Sequence, residues 1–307
     1  LKSFGCNVVR INYTDFFREN KMTILLGDKE KIVFSINQKE IHLSDIKSVW
    51  FRRSPHPKMY DDFISKKNLT SKEVALSNDF LSFILSEDET LMEFFMTLFR
   101  DVPNCIGTPN ISRLNKISQL RSAQEFNLDY PKTIISTSYS DISDFFENCE
   151  RCIIKPLKNI KSISYEGEMY TTFTSEVTLK DFQKKKLFPS LIQEFIIKEY
   201  EVRTFYLDGD FFSMALTNNS DVDYRENQYQ NNYKTTAYDL PEEIKIKMRN
   251  MLESLSLNCC SFDFIKPKNK DTYLFLEINP VGQFGFVSYP CNYQLEKLIA
   301  KKLMYEK

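Results

Sequence analysis

Histidine is nearly absent: His42 and His56 are the only two in 307 residues, and both lie in the N-terminal third. Histidine-based nucleophilic catalysis would need one of them brought across the fold, which turns the search toward carboxylates, lysine, arginine and metal. A surplus of either charge is missing too. The 41 basic residues face 42 acidic ones, so no broad positive field exists to attract a nucleic-acid backbone. No apolar stretch approaches the roughly 20 residues of a membrane span. The N-terminus lacks the charged, apolar and small-residue succession of a secretory signal. These absences predict a cytoplasmic protein with neither a nucleic-acid nor a membrane partner. The seven cysteines are scattered and odd in number, as expected of reduced thiols. Cys149 and Cys152 form one C-x-x-C, without the second pair or the histidines that a structural zinc site takes.

What is present is a chain with 42% hydrophobic residues, long enough for two or three packed subdomains. Residues 1 to about 108 alternate helical and strand patterns, with an apolar run from Ile24 to Ile36 and a strand ending Val49-Trp50-Phe51. They read as a small α/β domain. Leu81 to Phe99 reads as an apolar, core-packing helix. Pro, Gly and Asn collect between Val102 and Asn110 and mark a boundary.

Beyond it, Ile117, Leu120, Ala123 and Phe126 recur at helical spacing behind Lys116. Strands are expected at Thr133 to Ser136, Cys152 to Lys155, Met169 to Thr174 and Leu191 to Ile197, with a helix at Asp141 to Asn148. Tyr200 to Tyr206 and Phe211 to Leu216 flank Asp208-Gly209, the signature of a tight hairpin. A helix from Pro241 to Ser256 precedes two strands, Ser261 to Ile265 and Thr272 to Asn279, and Gln294 to Leu303 closes the chain as a helix. The architecture expected is mixed α/β with antiparallel sheets.

Side chains alternate along a strand, so Glu277 and Asn279 share one face while Leu276 and Ile278 pack on the other. Carboxylate and amide oxygens suit a hard cation such as Mg²⁺, and Asp263 on the preceding strand is a third candidate ligand. The hairpin register does not follow from spacing, and the alternative is an edge hairpin with solvent-facing polar residues. Lys155, at the end of an apolar strand and held by Pro156, and Lys116, at a helix start, offer point charges for phosphate oxygens, or are simply solvated. The segment Gln193 to Ile196 offers backbone groups to an adenine edge, or is an ordinary core strand.

Read in order, Asn115-Lys116, Ile154-Lys155-Pro156, Gln193-Glu194-Phe195-Ile196, Tyr200-Glu201-Val202-Arg203, Asp223-Tyr224-Arg225, Ser261 to Ile265 and Leu276-Glu277-Ile278-Asn279-Pro280 resemble the signature series of ATP-grasp ligases. The match covers roughly residues 110 to 307. Trp50-Phe51-Arg52-Arg53-Ser54-Pro55 and Asn279 to Gly285 bring the wording near the peptide maturases that make graspetides, the microviridin-type and grasp-with-spasm enzymes.

The resemblance implies an ATP-grasp fold of two β-rich lobes behind a small α/β domain, with segments 1–108, 109–190 and 191–307. It implies ATP and Mg²⁺, with Lys116 and Lys155 on phosphates, Gln193, Glu194, Phe195 and Ile196 lining adenine, and Glu201 accepting from the ribose. Asp263, Glu277 and Asn279 would hold the metal. Arg203 and Arg225 would grip a substrate carboxylate, while Asp223 would act as a base or as the partner of Arg225. The implied partners are a precursor peptide, leader plus core, and a second copy of the chain in a homodimer.

Two departures stand out. Lys158-Asn159-Ile160-Lys161-Ser162 carries no glycine before Gly167 where many ATP-grasp enzymes have a glycine-rich loop over the phosphates. The chain also opens at Leu1 within what resembles the first helix of the N-terminal domain, so that domain's initial strand is expected to be absent.

Overall fold

The computed structural model describes residues 1–11, 20–27, 30–52, 102–107, 114–157, 162–165, 168–171, 174–183, 187–218, 233–268 and 270–304, with a discontinuous set between 79 and 99. The chain divides into two compact units, Leu1–Asn110 with Glu296–Lys307, and Ile111–Leu295. The closing helix thus groups with the N-terminal residues, although in sequence it ends the 191–307 segment.

In the first unit, β1 (Lys21–Leu25), β2 (Lys31–Ile36) and β3 (Lys39–His42) form an antiparallel sheet. The apolar run expected at 24–36 is therefore two strands of a hairpin rather than one element. Asn37 and Gln38, at φ 50° and 63°, make the two-residue turn into β3, a conformation that short polar side chains tolerate. Ile32, Phe34 and Ile36 form the buried side of β2, and Leu91, Phe94, Leu98 and Phe99 pack against them. The described residues between 79 and 99 are helical, so that helix serves the core. β4 (Ser48–Trp50) pairs with β5 (Asn104–Ile106), the one parallel pairing among the described strands. Buried Asn104 donates to the Lys302 carbonyl at 2.7 Å, and Ser48 Oγ donates to that of Leu303 at 2.6 Å. The two side chains thereby satisfy the orphan carbonyls at the end of α5 (Leu295–Met304).

The second unit holds two larger sheets. The four-stranded one runs β10 (Ser175–Val177), β7 (Cys152–Lys155), β11 (Ser190–Glu194), β6 (Thr133–Ser136), all antiparallel. Ile142 of α2 (Tyr139–Glu147) packs with Cys149, Cys152, Phe182 and Ile192 to bury its apolar side. The five-stranded one runs β14 (Tyr233–Tyr238), β13 (Asp210–Asn218), β12 (Lys198–Leu207), β15 (Cys259–Pro267), β16 (Leu274–Asn279). Asp208 and Gly209 close the β12–β13 hairpin at φ 48° and 101°, as the Asp-Gly signature requires. A further hairpin, β8 (Ser162–Tyr165) with β9 (Glu168–Thr171), lies between β7 and β10 in sequence.

One face of the five-stranded sheet is apolar. Val202, Tyr206, Cys260, Phe262, Phe264, Phe275 and Ile278 pack there against Leu120 and Ala123 of α1 (Lys116–Glu125) and Met248, Met251 and Leu252 of α3 (Glu242–Ser254). The buried side of α1 is Gln119, Leu120, Ser122 and Ala123, whereas Ile117 is 41% exposed. The apolar face expected from Ile117, Leu120, Ala123 and Phe126 is therefore rotated, because position 119 carries a buried amide that the hydrophobic pattern does not register.

Two predictions follow from the packing. Gly282 adopts φ +61°, and a Cβ there would meet Cys259 Sγ at 2.9 Å and Phe205 Cε2 at 3.1 Å. Gly282→Ala is therefore expected to destabilise the protein by more than about 1 kcal/mol in urea titration; an unchanged midpoint would contradict the packing. Burial pushes the Cys152 thiol up to about 12 and raises that of Cys149. Iodoacetamide at pH 8 should leave both unmodified in the native protein and alkylate both in urea, because the thiolate is the reacting form.

Candidate functional site

Strand register determines what the second face of the five-stranded sheet presents. Arg203 of β12 stands opposite Asp263 of β15, and Asp263 stands opposite Glu277 of β16. Three charged side chains from three strands thus form one row across the sheet, which the sequence alone did not specify. Ser261 is opposite Asn279, so Asn279 lies one step along the same face, with Nδ2 3.4 Å from Glu277 Oε1.

A β-bulge sets this arrangement. Asp263 pairs with Glu277 while the next residue, Phe264, pairs with Phe275, leaving Leu276 as the extra residue of β16. The alternation expected along β16 therefore holds for Ile278, which is buried, and fails for Leu276, which is half-buried. Phe275 takes the core position instead. Without the extra residue, Phe275 would share the face of Glu277.

Aromatic residues cover the rest of this face. Phe284, just before the short helix α4 (Gly285–Ser288), packs on Phe205 with centroids 5.8 Å apart. Phe286 of α4 lies under the Arg203 guanidinium, 4.6 Å from ring centroid to Cζ. The cation–π attraction restrains the guanidinium beside the row. Arg203 Nη2 is 3.7 Å from Asp263 Oδ2.

Lys116 reaches this row from the start of α1. Its Nζ donates to the Pro156 carbonyl at 3.1 Å and lies 3.9 Å from Glu277 Oε2. Asn115 caps the helix by accepting from Ser118 N, which fixes where Lys116 leaves the backbone. One lysine thereby connects the segment after β7 with the carboxylate strand.

A second group sits on the four-stranded sheet. Lys155, the last residue of β7, donates from Nζ to Gln193 Oε1 at 2.8 Å, and Gln193 Nε2 donates to Thr133 Oγ1 at 2.9 Å. Thr133 in turn donates to the Pro131 carbonyl, so the amide oxygen of Gln193 must face the lysine. Gln193 is 3% exposed, and its side chain is committed to this relay. The next two residues use their N–H groups on the main chain, Glu194 to the Lys132 carbonyl and Phe195 to that of Arg151, both at 2.9 Å. Arg151 also stacks over the Phe195 ring at 3.9 Å. Ile196 follows, half-buried and beyond the end of β11, which stops at Glu194 where a strand through Ile197 was expected.

Glu201 of β12 accepts from Lys198 Nζ at 2.6 Å. Asp223 and Arg225 lie outside the described residues, as do Arg53-Ser54-Pro55 and residues 158–161.

The donor set fits a hard divalent cation: two carboxylates directly opposite each other and an amide oxygen on the same face, with cationic side chains on either flank. Among the described residues no cluster of three or more His, Cys, Asp or Glu forms a metal site, so Asn279 is needed to complete this one. The feature missed in the sequence is Gln119, which is 4% exposed and bonds both backbone groups of Ile278, between Glu277 and Asn279. Its interruption of the apolar helix face, three residues after Lys116, was the available signal.

Residues 1–100 match the family model described as the MvdD pre-ATP grasp domain, and residues 118–267 match the ATP-grasp domain of prokaryotic glutathione synthetase. No curated protein matches the sequence. Among solved structures, a Chryseobacterium gregarium RiPP-associated ATP-grasp ligase in complex with ADP and a leader and core peptide superposes with TM-score 0.80 at 22% identity, over 98% of this chain and 88% of that one. Macrocyclase MdnC of Microcystis aeruginosa MRC, bound with precursor peptide MdnA, gives TM-score 0.80 at 22% identity over 100% and 93%. Macrocyclase MdnB of the same organism gives 0.74 at 24% over 99% and 92%. At these identities the likeness establishes the fold. The chain therefore has the ATP-grasp fold, preceded by a domain that matches the MvdD pre-ATP-grasp type, and it resembles the RiPP-associated ATP-grasp ligases and macrocyclases.

Proposed function

We propose that the chain is an ATP-dependent ligase that phosphorylates Asp or Glu side-chain carboxylates of a ribosomally made precursor peptide and joins them to Ser, Thr or Lys side chains as ω-esters or ω-amides. The observation that carries this reading is the row Arg203, Asp263, Glu277 with Asn279 on the same face. It sets an oxygen donor set for Mg²⁺ beside a guanidinium suited to a carboxylate or a phosphoryl group. The solved structures with the same fold include one with ADP, leader and core peptide and one with its precursor, which supports a peptide as the substrate.

In this proposal Asp263, Glu277 and Asn279 hold Mg²⁺, which supplies charge neutralisation to the phosphates when bound. Lys116 and Lys155 bind phosphate oxygens, and the buried Gln193 aims Lys155 rather than reading the base with its side chain. Adenine lies along Glu194 to Ile196, where the N–H groups of Glu194 and Phe195 are already engaged. Glu201 keeps one carboxylate oxygen on Lys198 and offers the other to a ribose hydroxyl.

Arg203, restrained over Phe286, orients the substrate carboxylate and stabilises charge on the phosphoryl group as it moves. The carboxylate oxygen bonds to the γ-phosphorus as ADP leaves. The hydroxyl or amine then bonds to the carbonyl carbon, loses its proton and releases phosphate. Holding both side chains of one peptide makes the second step effectively unimolecular. The family resemblance assigns Arg225 to substrate binding, with Asp223 as its partner or as the base for the attacking group.

A second reading has its own support. The match of residues 118–267 to the glutathione synthetase ATP-grasp domain favours a ligase that joins a free amino acid or amine to a carboxylate. Mass spectrometry separates the two: incubation with Mg²⁺-ATP and a peptide encoded beside the gene should remove one water per link, whereas the second route adds mass. No mass change with any neighbouring peptide would contradict the proposal.

Glu277→Gln should lower ADP formation by about 100-fold or more, equivalent to roughly 2.7 kcal/mol of transition-state stabilisation, while the melting temperature stays near wild type. Equal, negligible turnover by wild type and variant would instead identify a peptide-binding module without activity. Gln193→Leu, which removes the amide bonded to Lys155 Nζ, should raise the KM for ATP by about tenfold through a misplaced charge-assisted contact. An unchanged KM would separate Gln193 from nucleotide binding.

A further inference from the structure

The candidate metal ligands Glu277 and Asn279 sit on an edge strand. Among the described strands β16 pairs only with β15 in the five-stranded order, so every second residue along it turns its N–H and C=O away from the sheet. Ile278, opposite Phe262, lies at such a position, between the two ligands in sequence. A frayed edge at Ile278 would swing both side chains.

That edge is not left open. Gln119 of α1 accepts from Ile278 N through Oε1 at 2.7 Å and donates from Nε2 to Ile278 O at 3.1 Å. The same Nε2 donates to the Leu114 carbonyl at 3.0 Å, just before the helix begins. A side-chain amide bonding both backbone groups of one residue reproduces what a neighbouring strand would supply. That residue also dictates which way the amide points, because an N–H needs the oxygen and a C=O needs the nitrogen. Gln119 is buried, so loss of either bond would leave a polar group dry and without a partner.

We propose that Gln119 is a positioning residue for the divalent cation: it clamps the Ile278 N–H and C=O so that Glu277 and Asn279 present their oxygens on one face at fixed separation from Asp263. The inference rests on the metal reading given above. The Gln119 side chain bonds backbone groups of Ile278 and Leu114 and not the candidate ligand oxygens. Lys116 on the same helical turn approaches Glu277 Oε2, so α1 governs both the backbone and the side chain of that ligand.

The test uses the whole protein with ADP and Mn²⁺ in place of Mg²⁺, reading free Mn²⁺ by electron paramagnetic resonance and unfolding by calorimetry. Gln119→Met keeps length and burial but removes the clamp, and Met248→Ala, on the buried side of α3, controls for lost stability. Outer-shell partners change metal affinity by roughly 10–100-fold, so Gln119→Met should weaken Mn²⁺ by about tenfold or more while Met248→Ala stays near wild type. Wild-type affinity in Gln119→Met would overturn the inference and leave the metal reading standing. Absence of Mn²⁺ binding to the wild type with ADP would overturn both. If Gln119→Met does not fold, Gln119→Glu decides: it keeps the acceptor but sets a carboxylate against the Ile278 carbonyl. Weaker Mn²⁺ binding by that variant supports positioning, and equal or tighter binding, as an added negative charge alone would produce, overturns it.

Discussion

Asp263 stands between Arg203 and Glu277 on three adjacent strands, and the register that places it there governs the rest of the candidate site. Directly opposite residues in antiparallel strands lie about 5 Å apart, close enough for two carboxylates to share one cation and for a guanidinium to reach the nearer of them. Two adjacent carboxylates would be costly beside an apolar core, and the flanking cations offset that cost. Lys116 at one end and Arg203 at the other each approach a carboxylate within 4 Å. Neither separation is that of a direct hydrogen bond, which fits partners that could exchange for a metal ion and its phosphates.

The register itself depends on one irregularity. The extra residue Leu276 lets β16 keep Phe275 and Ile278 in the core while Glu277 turns out toward Asp263. On the far side of the turn, Gly282 lets the chain pass close beneath Cys259 and Phe205, and Phe284 and Phe286 then return over the sheet. The same short segment therefore ends the carboxylate strand, seals the apolar part of its face and restrains Arg203. On the four-stranded sheet, the Lys155, Gln193 and Thr133 relay orients an ammonium through an amide and a hydroxyl.

Much of this was readable beforehand, and the reasons for the rest are specific. The Asp-Gly hairpin, the lysine at a helix start and the lysine closing an apolar strand all follow from local chemistry, and each is where the pattern puts it. Motif order pointed to the ATP-grasp fold. The pairing of Asp263 with Glu277 was not legible, because register depends on a bulge that leaves no mark in a run such as Leu276-Glu277-Ile278. Gln119 carries no hydrophobic signal, and the apolar spacing points instead to Ile117, which is exposed. The relay role of Gln193 is not legible either, because a buried amide takes its hydrogen bonds from partners that lie 38 and 60 residues away in sequence. Arg225 and Asp223 lie outside the described residues and keep only the support of the resemblance.

The central claim is that Asp263, Glu277 and Asn279 together hold a nucleotide-bound divalent cation. Crystals grown with Mn²⁺ and a non-hydrolysable ATP analogue, measured at the manganese absorption edge, test it directly. The account predicts an anomalous peak about 2.2 Å from a carboxylate oxygen of Asp263, one of Glu277 and the amide oxygen of Asn279, with phosphate oxygens in the remaining positions. A peak elsewhere in the nucleotide site, with Asp263 and Glu277 still facing Arg203 and Lys116, would contradict it.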